Sequence, residues 1–381
     1  MRIAIIGRGL IGSAAARHLA EAGHEVVLIG PGEPANYASH PGVFGSHYDE
    51  GRITRGLDRM PFWSRVSRAS IARYRGLEAA TGMRFFTEVG TLMAGPDGSR
   101  GIADVADVAK RDSLECARFD AKALTTRFPY FQFESDTIGY FEAQHAGHIS
   151  PRNLVKSQGI AVHKAGGRII DAEVDGFDEI AGGVTVHFGA EHLTADRILI
   201  AAGGFTNGLL SDALPLKVYA RTVALFEIGA AEAQRLTGQP SLIYLGPNGE
   251  DPYLLPPIRY PDGRTYLKLG GDVIDTDLTS QEARKDWFRS GGSAEVGAML
   301  TDHIRARMPE LEIKSTHIRP CVTTYTPSDH PIIDLLSERV AVAVGGNGKG
   351  AKNSDELGRL GGEAVLGRVA PDLALAASVA A

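Results

Sequence analysis

Three glycines near the start of the chain, Gly7, Gly9 and Gly12, stand at a spacing that can cradle a pyrophosphate. The work asked of them is steric. Gly7 permits a tight turn, Gly9 lets backbone approach phosphate oxygens, and Gly12 lets a helix pack closely on a strand. The elements that must position them are legible on both sides. Arg2–Ile6 is a short isoleucine-rich run, residues 10–22 form an alanine-rich helical pattern, and Glu25–Ile29 reads as a second strand. Phosphates would then meet the positive end of a helix beginning near Leu10 and Ile11. A plain strand–helix–strand start of an α/β domain has the same order, and the flanking elements favour the dinucleotide.

The chain has 381 residues, too many for one ordinary core, and two or three domains are expected. A formal net charge of −6 argues against nucleic acid as a main partner. No run of 18 apolar residues is present, so no membrane span is expected. A fingerprint at residue 7 leaves no room for a secretory signal ahead of it, and a cytoplasmic enzyme, monomeric or a small homo-oligomer, is the expectation. Two cysteines, Cys116 and Cys321, are too few for a disulfide framework or a metal cluster.

Further along, residues 71–81 predict a helix, 84–86 and 91–94 strands, and 104–128 a mostly helical stretch. Residues 167–171, 173–177, 184–187 and 197–200 read as successive strands. The last of these enters a small-residue turn through Gly203. Strands at 217–227, 253–255 and 265–269 suggest a second, antiparallel sheet. A helical stretch over 281–308 follows, then strands at 316–324 and 340–344, a second glycine loop and a final helix. This order predicts a nucleotide-binding domain that resumes at the C-terminus around an inserted domain.

Several blocks together resemble the monomeric sarcosine oxidase and N-methyltryptophan oxidase family of the D-amino acid oxidase superfamily. Besides the N-terminal fingerprint they are Gly45-Ser46-His47-Tyr48-Asp-Glu-Gly-Arg52-Ile-Thr-Arg55, the segment from Gly139 to Pro151, and Ile200-Ala-Ala-Gly203-Gly-Phe-Thr-Asn207. Three more are Tyr266-Leu-Lys268-Leu-Gly270, Cys321 through Thr324, His330 and Asp334, and Gly346-Asn347-Gly348-Lys349-Gly350-Ala-Lys352. The resemblance implies an α/β fold: a Rossmann-like FAD-binding domain with an inserted α+β substrate domain built on an antiparallel sheet. The implied division assigns 1–80, 141–215 and 316–381 to the FAD-binding domain, and 81–140 and 216–315 to the substrate domain.

Residue by residue, the resemblance makes Lys268 the lysine that activates dioxygen and places Arg52 close to the flavin ring. A flavin takes a hydride or its equivalent, and cations around it stabilise the charge it gains. Arg55 and Lys352 match the pair that holds the substrate carboxylate, an arginine fork beside a point charge. Tyr253 would bound the pocket. Gly7, Gly9, Leu10, Ile11, Gly12, Ser46, His47, Val174, Gly203 and the loop Gly346 to Gly350 with Lys352 would hold FAD. Cys321 falls in register with the cysteine that tethers FAD covalently; most lone cysteines are simply small buried residues.

Two departures stand out. The end of the second strand, where an acid usually meets the adenosine ribose, carries Gly30, with Glu33 as the nearest candidate to reach back. Two family histidines near the substrate are replaced by Tyr48 and Asp272, which suggests a substrate other than sarcosine, with an extra donor or positive group for Asp272 to meet. The expected function is an FAD-dependent oxidase of a secondary or tertiary amino acid, its partners a small carboxylate-bearing amine and dioxygen. The alternatives are a dehydrogenase passing electrons to a quinone or electron-transfer protein, a non-catalytic FAD-binding subunit, and an NAD-linked dehydrogenase. The last leaves Cys321 and the second glycine loop without purpose.

Overall fold

Six strands form the sheet that carries the N-terminal glycine turn in the computed structural model, which describes residues 1–379. Their order is Ile332–Leu335, Val340–Val344, Arg197–Ile200, β1 (Arg2–Ile6), β2 (Glu25–Ile29) and Arg168–Ile170. Neighbours are parallel except for the Ile332–Leu335 edge, which runs antiparallel to Val340–Val344. Both faces of this sheet are covered, which is why its central strands are apolar at nearly every position. Ile3, Ile5 and Leu28 pack against α1 (Leu10–Glu21) and the Gly350–Val365 helix. Ala4, Ile6 and Val27 pack on the other side against Val184, Val186 and Phe188 of a three-stranded sheet. The turn between β1 and α1 is a backbone-to-backbone contact. Gly7 has φ +112°, and a Cβ at Gly12 would stand 1.9 Å from the Gly7 carbonyl oxygen.

A second, nine-stranded sheet has its longest strand, Lys217–Ile228, near one end, pairing on one edge with Thr265–Gly270 and from Lys217 to Glu227 with Ser315–Tyr325 on the other. Its core packs Ala224, Phe226 and Leu267 against Val296, Leu300 and Ile304 of the Ala294–Arg307 helix. The sheet is antiparallel except where Ser241–Tyr244 runs parallel to Thr91–Pro96. Between Gly30 and Pro61 the chain forms little regular structure apart from β3 (Arg52–Thr54). This short strand joins Gly147–Ile149 and, through it, Phe86–Thr87 in a small sheet of its own.

Several expectations change in detail. The stretch 104–128 is a helix to Arg111, a strand Ala117–Phe119 that lengthens the nine-stranded sheet, and a short helix Ala121–Arg127. The stretch 281–308 is two helices, Gln281–Ser290 and Ala294–Arg307, because Gly291 and Gly292 both take positive φ between them. The helix expected at 71–81 is the second half of α2 (Pro61–Thr81), whose start is set by proline in its first turn. The strand expected at 173–177 begins only at Gly176, leaving Val174 in a loop. The boundary expected at 316 shifts, because Ser315–Tyr325 belongs to the nine-stranded sheet and the chain re-enters the six-stranded one at Ile332.

Candidate active site

A cleft of about 850 Å³ is walled by both large sheets. One wall is the glycine turn with Gly7, Gly9, Leu10 and Ile11, the end of β2 at Gly30, and the loop Gly345 to Gly350. The other is Cys321 to Tyr325 with Tyr253, Ile243 and Leu245. Volume and lining are those of a cofactor-sized site with polar groups at chosen points. Of the residues singled out in the sequence, Ser46, His47, Tyr48, Arg52, Arg55, Val174, Gly203, Tyr253, Asp272, Cys321, Lys349 and Lys352 also line it. Gly12 and Lys268 do not. Gly12 acts one layer behind, where the helix meets the turn. Lys268 lies fully buried.

Two clusters of charge flank β3. On one side Asp49 is held by three groups. Lys268 Nζ donates to Asp49 Oδ2 at 2.5 Å, Tyr260 Oη donates to Oδ1 at 2.8 Å, and Arg52 closes on Oδ2 in a short ion pair. Lys268 also donates to the Gly51 carbonyl at 2.8 Å. Burial would raise the Asp49 carboxyl, but Lys268 and Arg52 outweigh it and hold it well below the usual carboxylate range. Burial, aided by Arg52 and opposed by Asp49, brings Lys268 down to about 8. The second Arg52 nitrogen reaches the cleft, donating to the Ser46 carbonyl at 3.2 Å and meeting Cys321 Sγ at 3.5 Å. Tyr253 fits over this corner because Gly270, opposite it across the strand pair, leaves room for its ring.

On the other side Asp58, only 1% exposed, accepts from Lys352 Nζ at 2.7 Å and lies 3.5 Å from Arg55. Burial, aided by Arg55 and opposed by Asp58, brings Lys352 down to about 7. Burial would raise Asp58, yet Lys352 and then Arg55 hold its carboxyl well below its usual range. The backbone from Arg55 to Leu57 is fixed by two side chains. Ser67 Oγ donates to the Arg55 carbonyl, and Glu142 accepts from the Gly56 and Leu57 amides at 2.9 Å each. Arg55 Nε is buried without a partner among the described residues, as is Thr323 Oγ1 on the Cys321 strand. Unpartnered buried donors in a cleft call for a ligand.

Other expected residues have their own positions. Tyr48 packs on His47 and Tyr37, and its hydroxyl donates to the Gly32 carbonyl, so its contacts lie at the β2 side of the cleft. Burial pushes His47 down to about 4, leaving it neutral. The Asp272 oxygens accept from the Thr222 and Ile274 amides at 2.9 and 3.0 Å. That carboxylate fixes a turn at the cleft wall. Gly30 is required by packing, since a Cβ there would stand 2.5 Å from the Arg8 amide. Glu33 does not reach back: Arg152 grips it in a bidentate pair at 2.6 and 2.7 Å, with Tyr37 at 2.6 Å. Glu173 is the acid that lines this end of the cleft.

Asp49, Asp58 and Tyr260 were missed as site residues. A signal existed for the aspartates in the Asp-x-x-Arg and Arg-x-x-Asp spacings on either side of β3.

Residues 2–364 match the family described as DAO, FAD dependent oxidoreductase. The chain belongs to this family. It is 27% identical over 390 residues to the monomeric sarcosine oxidase of Bacillus sp. (strain NS-129), covering 98% of this chain and 95% of that relative. It is 28% identical over 379 residues to the N-methyl-L-tryptophan oxidase of Salmonella arizonae, covering 97% and 94%. Among solved structures, NikD, described as an unusual amino acid oxidase essential for nikkomycin biosynthesis, superposes with a TM-score of 0.77. The identity there is 20%, over 97% of this chain and 94% of that one. The protein is an FAD-dependent oxidoreductase, and the glycine turn, the free Thr323 hydroxyl and the continuous cleft fit that cofactor. Among the described residues no helix is long and apolar enough to cross a membrane.

Proposed function

We propose that the protein oxidises the carbon–nitrogen bond of a secondary or tertiary amine bearing a carboxylate, with dioxygen as acceptor. The observation that carries this reading is Arg55, fixed by its backbone at the cleft with Nε unpartnered and Lys352 beside it. Names of relatives that act on sarcosine and N-methyl-L-tryptophan support it. Bound FAD supplies the acceptor for the two electrons leaving the carbon–nitrogen bond. The glycine turn and the first amides of α1 would hold the pyrophosphate of FAD, and the Gly346 to Gly350 loop also lines the cleft. Arg55 grips the substrate carboxylate, and Tyr253 and Met93, both of which line the cleft, confine the carbon beside it. The neutral amine loses a hydride equivalent to become an iminium ion, a secondary amine also giving up its N–H proton to become an imine. Water converts either to a carbonyl compound and the shortened amine, releasing the remaining proton from the iminium ion. Dioxygen, taking two electrons and two protons, leaves as hydrogen peroxide. Arg55 and Lys352 disfavour a protonated amine nearby, so activity rises with pH until the bound amine is neutral.

The test is anaerobic mixing of the holoprotein with a panel of N-alkyl amino acids and matched amines lacking the carboxylate. Bleaching of the visible flavin absorption by the acids alone is expected. No bleaching by any of them sinks the reading. Cys321 lines the cleft next to Arg52, which supports a covalent cofactor link through its sulfur; yellow colour that stays with acid-precipitated protein and is lost from Cys321→Ala checks it. One observation favours a second reading, a dehydrogenase: Lys268 is sealed behind Asp49. Peroxide yield separates the two, close to one per amine oxidised for an oxidase and near zero for a dehydrogenase.

A further inference from the structure

We infer that Asp49 is a positioning residue that clasps Lys268 and Arg52 and thereby sets how much positive charge the cofactor ring meets during electron hand-off to dioxygen. The inference rests on the cofactor and the dioxygen part of the function proposed above, and on no particular amine. Three independent contacts converge on this one carboxylate: Lys268 and Arg52 on Oδ2, and Tyr260 on Oδ1. Lys268 comes from the nine-stranded sheet, 219 residues away in sequence, and its ammonium has no exposure of its own. Two of its three donors point to Asp49 and the Gly51 carbonyl, which turns the group toward the 49–52 loop. The charges add simply. Two cations and one anion leave one positive charge at this corner, and Arg52, which also touches Cys321, is the member that lines the cleft.

The ring gains negative charge on reduction, and a cation nearby favours that state while an anion opposes it. Asp49 therefore lowers the readiness of the cofactor to accept electrons and shields Lys268 from dioxygen. Groups facing Lys268 are Asp49 from the loop, Arg52 from the start of β3, Tyr253 from the neighbouring strand and Cys321 from the Ser315–Tyr325 strand, while Tyr260, just past the end of the Tyr253–Arg259 strand, holds the other oxygen of Asp49. Asp49 is the member whose charge opposes the cations at neutral pH. Removing it exposes two cations at acid pH, and one once Lys268 has lost its proton.

The experiment uses the FAD-loaded protein, reduced chemically so that failure of the proposed amine chemistry leaves it intact. Asp49→Asn keeps the size and removes the charge; Asp49→Glu keeps the charge and changes the size. At pH 6, Asn is expected to favour the reduced cofactor about tenfold, a rise of about 30 mV for a two-electron couple. It should also speed reoxidation by dioxygen severalfold. The difference from wild type should persist at pH 9, where Lys268 has lost its proton in both proteins and only wild type still has Asp49 to cancel Arg52, and Glu should stay near wild type at both. A structural role predicts the reverse ranking, with the larger Glu more disruptive than Asn, and that ranking overturns the inference. If Asp49→Asn does not retain the cofactor, Lys268→Gln carries the test from the other side. It leaves Asp49 facing Arg52 alone, and the potential should fall; an unchanged or raised potential overturns the inference.

Discussion

The two charge clusters beside β3 contain the same parts, one lysine, one aspartate and one arginine, and face different ways. In Asp49·Lys268·Arg52 the lysine is sealed and only the arginine reaches the cleft. In Asp58·Lys352·Arg55 all three line it. Both aspartates come from one short loop-strand-loop segment, three residues from their arginine, and both lysines arrive from distant elements. Composition therefore does not divide the labour between them; access does. A buried pair closed off from the cleft can act only through its field, whereas an accessible one can bind.

The largest expected effect breaks the second cluster in the folded state. Asp58→Asn leaves Lys352 buried against Arg55 without a counter-charge. It should lower unfolding free energy by about 3 kcal/mol, read by denaturant titration. Adding Lys352→Met should restore more than half of that loss, as expected for one coupled pair. The same cycle on Asp49 and Lys268 should give a similar coupling, and a gap above about 2 kcal/mol would end the likeness between the two.

Next in size is the division of roles. Arg55→Met should lower kcat/KM for the carboxylate-bearing amine by about 100-fold, mostly through KM, since a charged hydrogen bond is lost. Lys268→Met should leave KM for the amine within about twofold and slow the oxygen step instead. Steady-state kinetics at several oxygen concentrations distinguish the two; a large KM change in Lys268→Met contradicts the division.

The smallest effect is a matter of pH. Lys352, brought to about 7, attracts a carboxylate while protonated and ceases to as pH rises past that value. Affinity is thus complete below pH 7 and weakens above it, by about tenfold at pH 9. Lys352→Arg cannot lose its proton in this range and should flatten the rise in KM. A rise of equal steepness in that variant assigns it to another group.

The strand–turn–helix–strand opening was legible because glycine spacing, apolar runs and helix pattern all agree within 29 residues. So was the long Lys217–Ile228 strand, whose β-branched and aromatic residues leave little alternative. The segment 104–128 misled because a three-residue strand carries no periodicity of its own and borrows its order from Thr137–Glu142. At the site, most lining residues were found through motif register. The aspartates were not: the local spacing pointed only to their arginines, while the lysines that complete each cluster stand more than 200 residues away, where no spacing encodes the meeting. Asp272 was assigned to the substrate, but its oxygens are engaged by backbone amides, a commitment that only coordinates reveal.

Asn347 shows what the split between the walls entails. It holds a left-handed backbone at φ +46°, its amide donates to the Thr324 carbonyl, and its side chain accepts from the Thr326 amide. It thereby buttons the glycine loop of one layer to the outgoing end of the Cys321 strand of the other. Whatever occupies the space above that button is gripped by both halves of the molecule at once, so the melting temperature of a preparation will track how much of it carries FAD.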